Sequence, residues 1–172
     1  MPEHHAVFFT EPIGAYEDPA SLSDGATLNF VLPSSVSTAP QPAGAVISYP
    51  HGGSQPLIKA AEARLAVGEG AGAVAICVDT LSMGDLNRIL PGVLAATQGI
   101  DEGIASFIAA LVRPVTEEEF VVLAEAARMI SADGIWIHSE TAISEFSEMG
   151  KKKAENLMIL GPASADLPVR FL

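Results

Sequence analysis

The sequence predicts an α/β protein built on a parallel sheet, and three observations carry that expectation. Apolar runs of strand length fall at residues 6–10, 27–32, 45–49, 73–78, 107–112, 135–137 and 157–160. Most of them lack a polar face of period two, as strands covered on both sides should. Helical patterns separate the later runs, and strand and helix alternating at this spacing belong to parallel sheets.

Taken in order, the first two connections break the pattern. EDPASLSDG, after the first run, offers only a short turn or helix. PSSVSTAPQPAG, before the third, carries too much Pro and Gly for a crossover helix. The next three are helical. Ser54 precedes QPLIKAAEARLAVGEG, in which Leu57, Ile58, Ala61, Leu65 and Ala66 share one face and a Gly-rich end supplies the stop. GDLNRILPGVLAA has Asp85 three residues after Ser82 and an interruption or kink at Pro91. Thr116 and Glu119 form a capping box ahead of FVVLAEAARMI. Neither an internal repeat nor a linker divides the chain, so residues 1–172 read as one domain. Periodicity does not separate an open doubly wound sheet from a closed barrel. A complete (β/α)8 barrel takes about 250 residues, so length leans towards the open sheet.

Composition narrows the function classes. The chain has 172 residues, 49% of them hydrophobic, and a net charge of −12, with positive mean hydropathy. That is enough to bury a core as one domain, and the acidic balance argues against nucleic acid or an anionic membrane as partner. No apolar run reaches the length of a membrane span, and MPEHHAVFF lacks the features of a signal peptide, so a cytoplasmic location is expected. The single cysteine, Cys77 in AVAICVD, rules out a disulfide framework and reads as a small buried hydrophobe.

A resemblance tips the balance between the two architectures. AVISYPHGGSQPLIKAAEARLAVGEGAGAVAICVD, residues 45–79, resembles the third strand, helix and fourth strand of the deoxyribose-phosphate aldolases. Pro50, Gly52, Lys59, Glu62, Ala66, Gly70 and Ala71 match that family's F-P-x-G and K-x-x-E-x-x-x-A-x-x-x-G-A pattern. FVLPSSV is similar to its V-N-P-S-Y-V. IAALVRPVTEEEFVVLAEAARMISADGIWIHSETA is similar to its fifth strand, helix and sixth strand, which end in K-T-S-T-G. The resemblance implies a shortened or incomplete (β/α)8 barrel of the aldolase type with some outer helices missing, and a lyase acting on a small carbonyl or sugar-phosphate compound.

The departures bear on the chemistry. The resemblance implies a Schiff-base lysine at the end of the sixth strand and a second on the seventh that lowers its pKa. The first position holds Trp136 or His138, the second falls on Gly161, and the aspartate of the fourth strand falls on Ala75. The lysines of the chain are Lys59, Lys151, Lys152 and Lys153, all outside the predicted strands. The KKK run reads as a solvated helix end and Lys59 as a solvated helix face. Imine formation is therefore not expected.

Polar residues gather at the C-terminal strand ends, where this fold carries its chemistry. They are Thr10, Glu11, Ser34, Ser35, Tyr49, His51, Asp79, Thr80, Arg113, His138, Ser139, Glu140 and Ser164. A histidine changes charge near neutral pH and a carboxylate can fix its tautomer, so His138 with Asp79 or Glu140 is the candidate acid–base set. His51, Gly52, Gly53, Arg113, Ser139 and Ser164 are the candidate ligand-binding residues. The HGGS stretch reads either as a tight turn or as a backbone cradle for phosphate. His51 alternatively serves the turn, and Ser139 and Glu140 the start of the next helix. A mixed site of His51, Asp79, His138 and Glu140 is a weaker option for a metal, and neither metal nor cofactor is expected. A non-catalytic barrel that binds or assembles is the competing class.

Two structural expectations complete the reading. Period-two alternation puts Trp136 inside the barrel and Ile137 outside. Strands lacking helices need a cover, which DLPVRFL supplies as a short eighth strand or a partner subunit supplies in a homo-oligomer, most simply a dimer.

Overall fold

The computed structural model describes residues 4–8, 28–161 and 169–171. Thr10, Glu11 and Ser164 lie outside the described residues. The strands are β1 (His4–Phe8), β2 (Leu28–Val31), β3 (Ala43–Ile47), β4 (Ala73–Cys77), β5 (Ala105–Ala110), β6 (Gly134–Ile137), β7 (Met158–Leu160) and β8 (Val169–Phe171). The helices are α1 (Pro56–Gly68), α2 (Leu86–Thr97), α3 (Glu117–Met129) and α4 (Glu148–Lys152), with 3-10 turns at Pro33–Thr38 and Ile143–Glu145. The connection rich in proline thus forms a 3-10 turn and not a crossover helix, and Val36 from it is buried.

All eight strands pair in parallel in one sheet of order β7-β6-β5-β4-β3-β2-β1-β8. That is the circular order of a (β/α)8 barrel opened between β7 and β8, whose Cα atoms still come within 8 Å. The open doubly wound alternative is set aside, and Val169–Phe171 supplies the eighth strand by pairing with β1.

Strand alternation sorts the buried side chains into two cores. Val31, Ala45, Ile47, Val74, Ile76, Ile108, Ile135, Ile137 and Ile159 face the helices. Phe30, Val46, Ala73, Ala75, Cys77, Phe107, Ala109, Trp136 and Leu160 fill the interior. The expected orientations of Trp136 and Ile137 hold. Alanines on β4 and β5 leave the space that three large rings occupy: Phe30 lies 4.9 Å from Trp136 and 6.0 Å from Phe107, centroid to centroid.

The helices follow their caps closely, with two corrections. Thr116 and Glu119 make the reciprocal capping box of α3. The N-cap of α2 is Asp85, whose side chain accepts from the Asn87 N–H, so Ser82 is not the cap; α2 also continues through Pro91. The second correction concerns α1, which buries Lys59, Ala60, Ala63 and Ala66 and turns Leu57, Ile58 and Leu65 outward, at 77%, 50% and 69% exposure. Of the residues that share the apolar face, Leu57, Ile58, Ala61 and Leu65 look outward and Ala66 alone is buried. Small residues let α1 settle close to the sheet and to α2, and Lys59 fits because its amine finds a backbone acceptor at the end of β4.

Candidate functional site

The mouth is built from the segments that follow β3, β4, β5 and β6. After β3 the chain turns at Ser48, with φ 57°, and enters PHGG. Gly52 has φ +68°, and an added Cβ there would run into the Val78 carbonyl, so this position needs glycine for both conformation and close approach. Gly53 is exposed and faces open space. The His51 side chain is exposed, while its carbonyl accepts from the Thr80 N–H at 3.0 Å and the Thr80 hydroxyl at 3.2 Å. The stretch forms a tight turn locked onto the loop after β4.

Asp79 is committed to its own turn. One carboxylate oxygen accepts from the Leu81 N–H at 3.0 Å and the other from the Ser82 hydroxyl at 3.2 Å. Arg113, after β5, makes a two-pronged ion pair with Glu119, at 2.7 and 2.9 Å, and reaches the Thr80 carbonyl at 3.5 Å. The bonds to Arg113 hold the Glu119 carboxyl below its ordinary range, and the Thr116 N–H adds to the effect. Most of the donor capacity of Arg113 is thereby spent inside the protein, which leaves little for an anion.

His138 follows β6, half-buried, with its own N–H donated to the Ala110 carbonyl at 3.0 Å. Its ring Nδ1 accepts from the Glu140 N–H at 3.2 Å. In the neutral ring that bond selects the tautomer whose Nε2 carries the proton, and among the described residues Nε2 donates to no acceptor. Among the described residues no hydrogen bond or ion pair joins the imidazole to the carboxylate of Asp79 or Glu140. Ser139 and Glu140 are exposed. The mixed metal set is likewise not assembled, since no three His, Cys, Asp or Glu side chains converge among the described residues.

The lysines need one correction. Lys151 is half-buried and Lys152 exposed, as befits a helix end. Lys59 is only 4% exposed, and its Nζ donates to the Cys77 carbonyl at 2.8 Å. Burial pushes the amine below its ordinary pKa, an effect opposed by Cys77, Asp79 and Glu62. Cys77 is buried as expected, and loss of solvation lifts its thiol to about 12. No lysine stands on a strand. Where the resemblance sets the second lysine, Gly161 has φ +120°, and a side chain there would collide with the Ile137 carbonyl. The links that sequence reasoning missed are Lys59 to β4, Thr80 to His51, and Arg113 to Glu119. A signal for the first was present, since Lys59 and Glu62 lie one turn apart between small residues.

An eight-stranded parallel sheet curled about a filled interior, with its polar residues at the C-terminal strand ends, defines the class as an aldolase-type (β/α)8 barrel. The deoxyribose-phosphate aldolase of Corynebacterium glutamicum is 33% identical over 122 residues, which cover 69% of this chain and 52% of that enzyme. The deoxyribose phosphate aldolase of Aeropyrum pernix, described as tetrameric, superposes with a TM-score of 0.74 at 14% identity, covering 99% of this chain and 86% of that one. A phosphonopyruvate hydrolase bound to oxalate and magnesium superposes at 0.71, also at 14% identity, covering 98% of this chain and 75% of that one. No family model matches. In sequence and fold the chain is a relative of the deoxyribose-phosphate aldolases, and it spans about half the length of the curated relative it matches.

Proposed function

We propose that this chain is an aldolase-type barrel that takes a small carbonyl compound, with or without a phosphate, at its mouth and engages it through His138 without forming an imine. The observation that carries this reading is the bond from the Glu140 N–H to His138 Nδ1, which makes Nε2–H a fixed donor at the strand end that holds the family's lysine. A donor so placed polarises a carbonyl oxygen, and as a general acid it would favour lyase chemistry. Asp79 and Glu140 serve as partners only after a ligand rearranges them, because Asp79 is held by its turn. Ser139, Gly53 and His51 remain as ligand contacts. We place the protein in the cytoplasm, and among the described residues no helix is long and apolar enough to cross a membrane.

Borohydride reduction in the presence of small aldehydes, with and without a phosphate group, tests the imine clause. No covalent adduct is expected, and an adduct mapped to any of the four lysines overturns it. The His138 ring resonances and the Glu140 amide should shift on adding the same aldehydes, and in His138→Gln the aldehyde-induced shift of the Glu140 amide should vanish without a change in melting temperature. Unmoved resonances would remove the ligand. Unfolding of His138→Gln would make the histidine a structural residue.

A second reading, a barrel that assembles or binds without catalysis, is favoured by the ring cluster of Phe30, Phe107 and Trp136 that fills the interior. The outward Leu57, Ile58 and Leu65 of α1 supply a surface for a homo-oligomer, most simply a dimer, and the tetrameric relative supports assembly. Light scattering that finds a monomer at high concentration would count against it.

A further inference from the structure

β3 and β4 part company at their C-terminal ends, and the parting leaves backbone groups to be satisfied. The two strands are in register as far as Ile47 opposite Ile76. The Val78 N–H donates to Ala109 on β5 at 2.9 Å. Across a trans peptide the Cys77 carbonyl must point the other way, towards β3. Beyond Ile47 the register is broken, because Ser48 takes a left-handed φ of 57°. A buried carbonyl and a buried amide left without partners there would each cost free energy.

One turn of α1 serves both groups. Lys59 Nζ donates to the Cys77 carbonyl at 2.8 Å, and the Glu62 carboxylate accepts from the Ser48 N–H at 2.7 Å. Residues three apart on a helix share a face, so the amine and the carboxyl group reach the two strand ends side by side. Gly92 of α2 leaves the room that the lysine stem occupies, because an added Cβ would lie 3.2 Å from Nζ. The strand ends are also where the mouth loops begin. The Ser48 carbonyl accepts from the Gly52 N–H at 2.8 Å, its hydroxyl accepts from the Ser54 N–H at 3.2 Å, and the loops meet where Thr80 donates to His51.

We propose that Lys59 and Glu62 are positioning residues of the mouth: together they splice the diverging ends of β3 and β4, and so hold the PHGG loop against the loop that carries Asp79 and Thr80. The splice depends on no ligand and stands apart from the proposed reaction.

Cys77 reports on it, because the chain's one thiol sits on the residue whose carbonyl Lys59 holds. The measurement is the rate at which a disulfide reagent labels native Cys77, set beside the unfolding equilibrium of the same variant in urea. Leu123→Ala, on α3 and remote from the splice, calibrates labelling through global unfolding alone. Lys59→Met keeps the stem and removes the donor. It should label about tenfold faster, or more, than its unfolding equilibrium predicts, since the buried Cys77 carbonyl is left locally without its donor. Glu62→Ala should do the same, and Glu62→Gln, which retains an acceptor for the Ser48 N–H, should stay near wild type. Should Lys59→Met not fold, the two Glu62 variants decide. Labelling that tracks global unfolding in every variant, as in Leu123→Ala, would overturn the proposal, and so would equal labelling of Glu62→Gln and Glu62→Ala.

Discussion

Helices α1 and α3 are both 13 residues long and both pack on the outside of the sheet, yet they use their side chains in opposite ways. α3 opens with a capping box and buries Phe120, Leu123, Ala124, Ala126 and Ala127, with Phe120 against Phe146 at 5.3 Å. α1 has no side-chain cap bond at Gln55, buries three alanines and a lysine, and gives its leucines to solvent. The difference shows that burial follows where an element must sit. A helix that supplies polar groups to two strand ends has to approach closely, and close approach selects small residues and one long amine.

The largest expected effect in this comparison is on α3. Phe120→Ala should cost about 3–5 kcal/mol through the cavity it leaves, measured by urea denaturation. A cost near zero would mean that α3 packs no more tightly than the outer face of α1. Removing the cap with Thr116→Ala should cost about 1 kcal/mol, read from the same transitions, whereas Gln55→Ala on α1 should be nearly silent.

The acid limb of stability sharpens the contrast further. Arg113 holds the Glu119 carboxyl below its ordinary 4.5, and the Ser147 hydroxyl and N–H do the same for Glu117. A depressed carboxyl stabilises the fold at pH values above 4.5 and loses that contribution as pH falls through the folded value. Stability measured against pH should therefore decline below about 4.5, and Glu119→Gln should flatten the decline by less than about 1 kcal/mol, because the pair is partly exposed. An unchanged acid limb would show the pair to be inert. The smallest effect belongs to Leu65→Ala, within about 0.5 kcal/mol for the isolated chain. If it cost as much as Phe120→Ala, the outward face of α1 would have to be buried in solution.

Regular elements were legible because they depend on local pattern. The Thr116 and Glu119 capping box, the strand runs at β4 and β5, and the alternation of Trp136 and Ile137 all came through in the fold. Their signals lie within a few residues of one another, as caps and periodicity do. Which side of α1 faces the sheet was not legible, for the opposite reason. Leu57, Ile58 and Leu65 are the more apolar residues, and only contact with a sheet and a neighbouring helix decides which side faces in.

The candidate site divides in the same way. Sequence alone placed His51, Asp79, Arg113 and His138 at strand ends, and it showed that the strands carry no lysine, because both facts depend only on order along the chain. Tertiary structure decided which of these groups are spent. Asp79 is consumed by its own turn, Arg113 by Glu119, and His138 Nδ1 by a backbone amide, leaving Nε2–H as its donor. It also brought Lys59 to the end of β4, 18 residues along the chain. Hydrogen-bond partners at that separation are set by how strands and helices stack, and no local pattern encodes them.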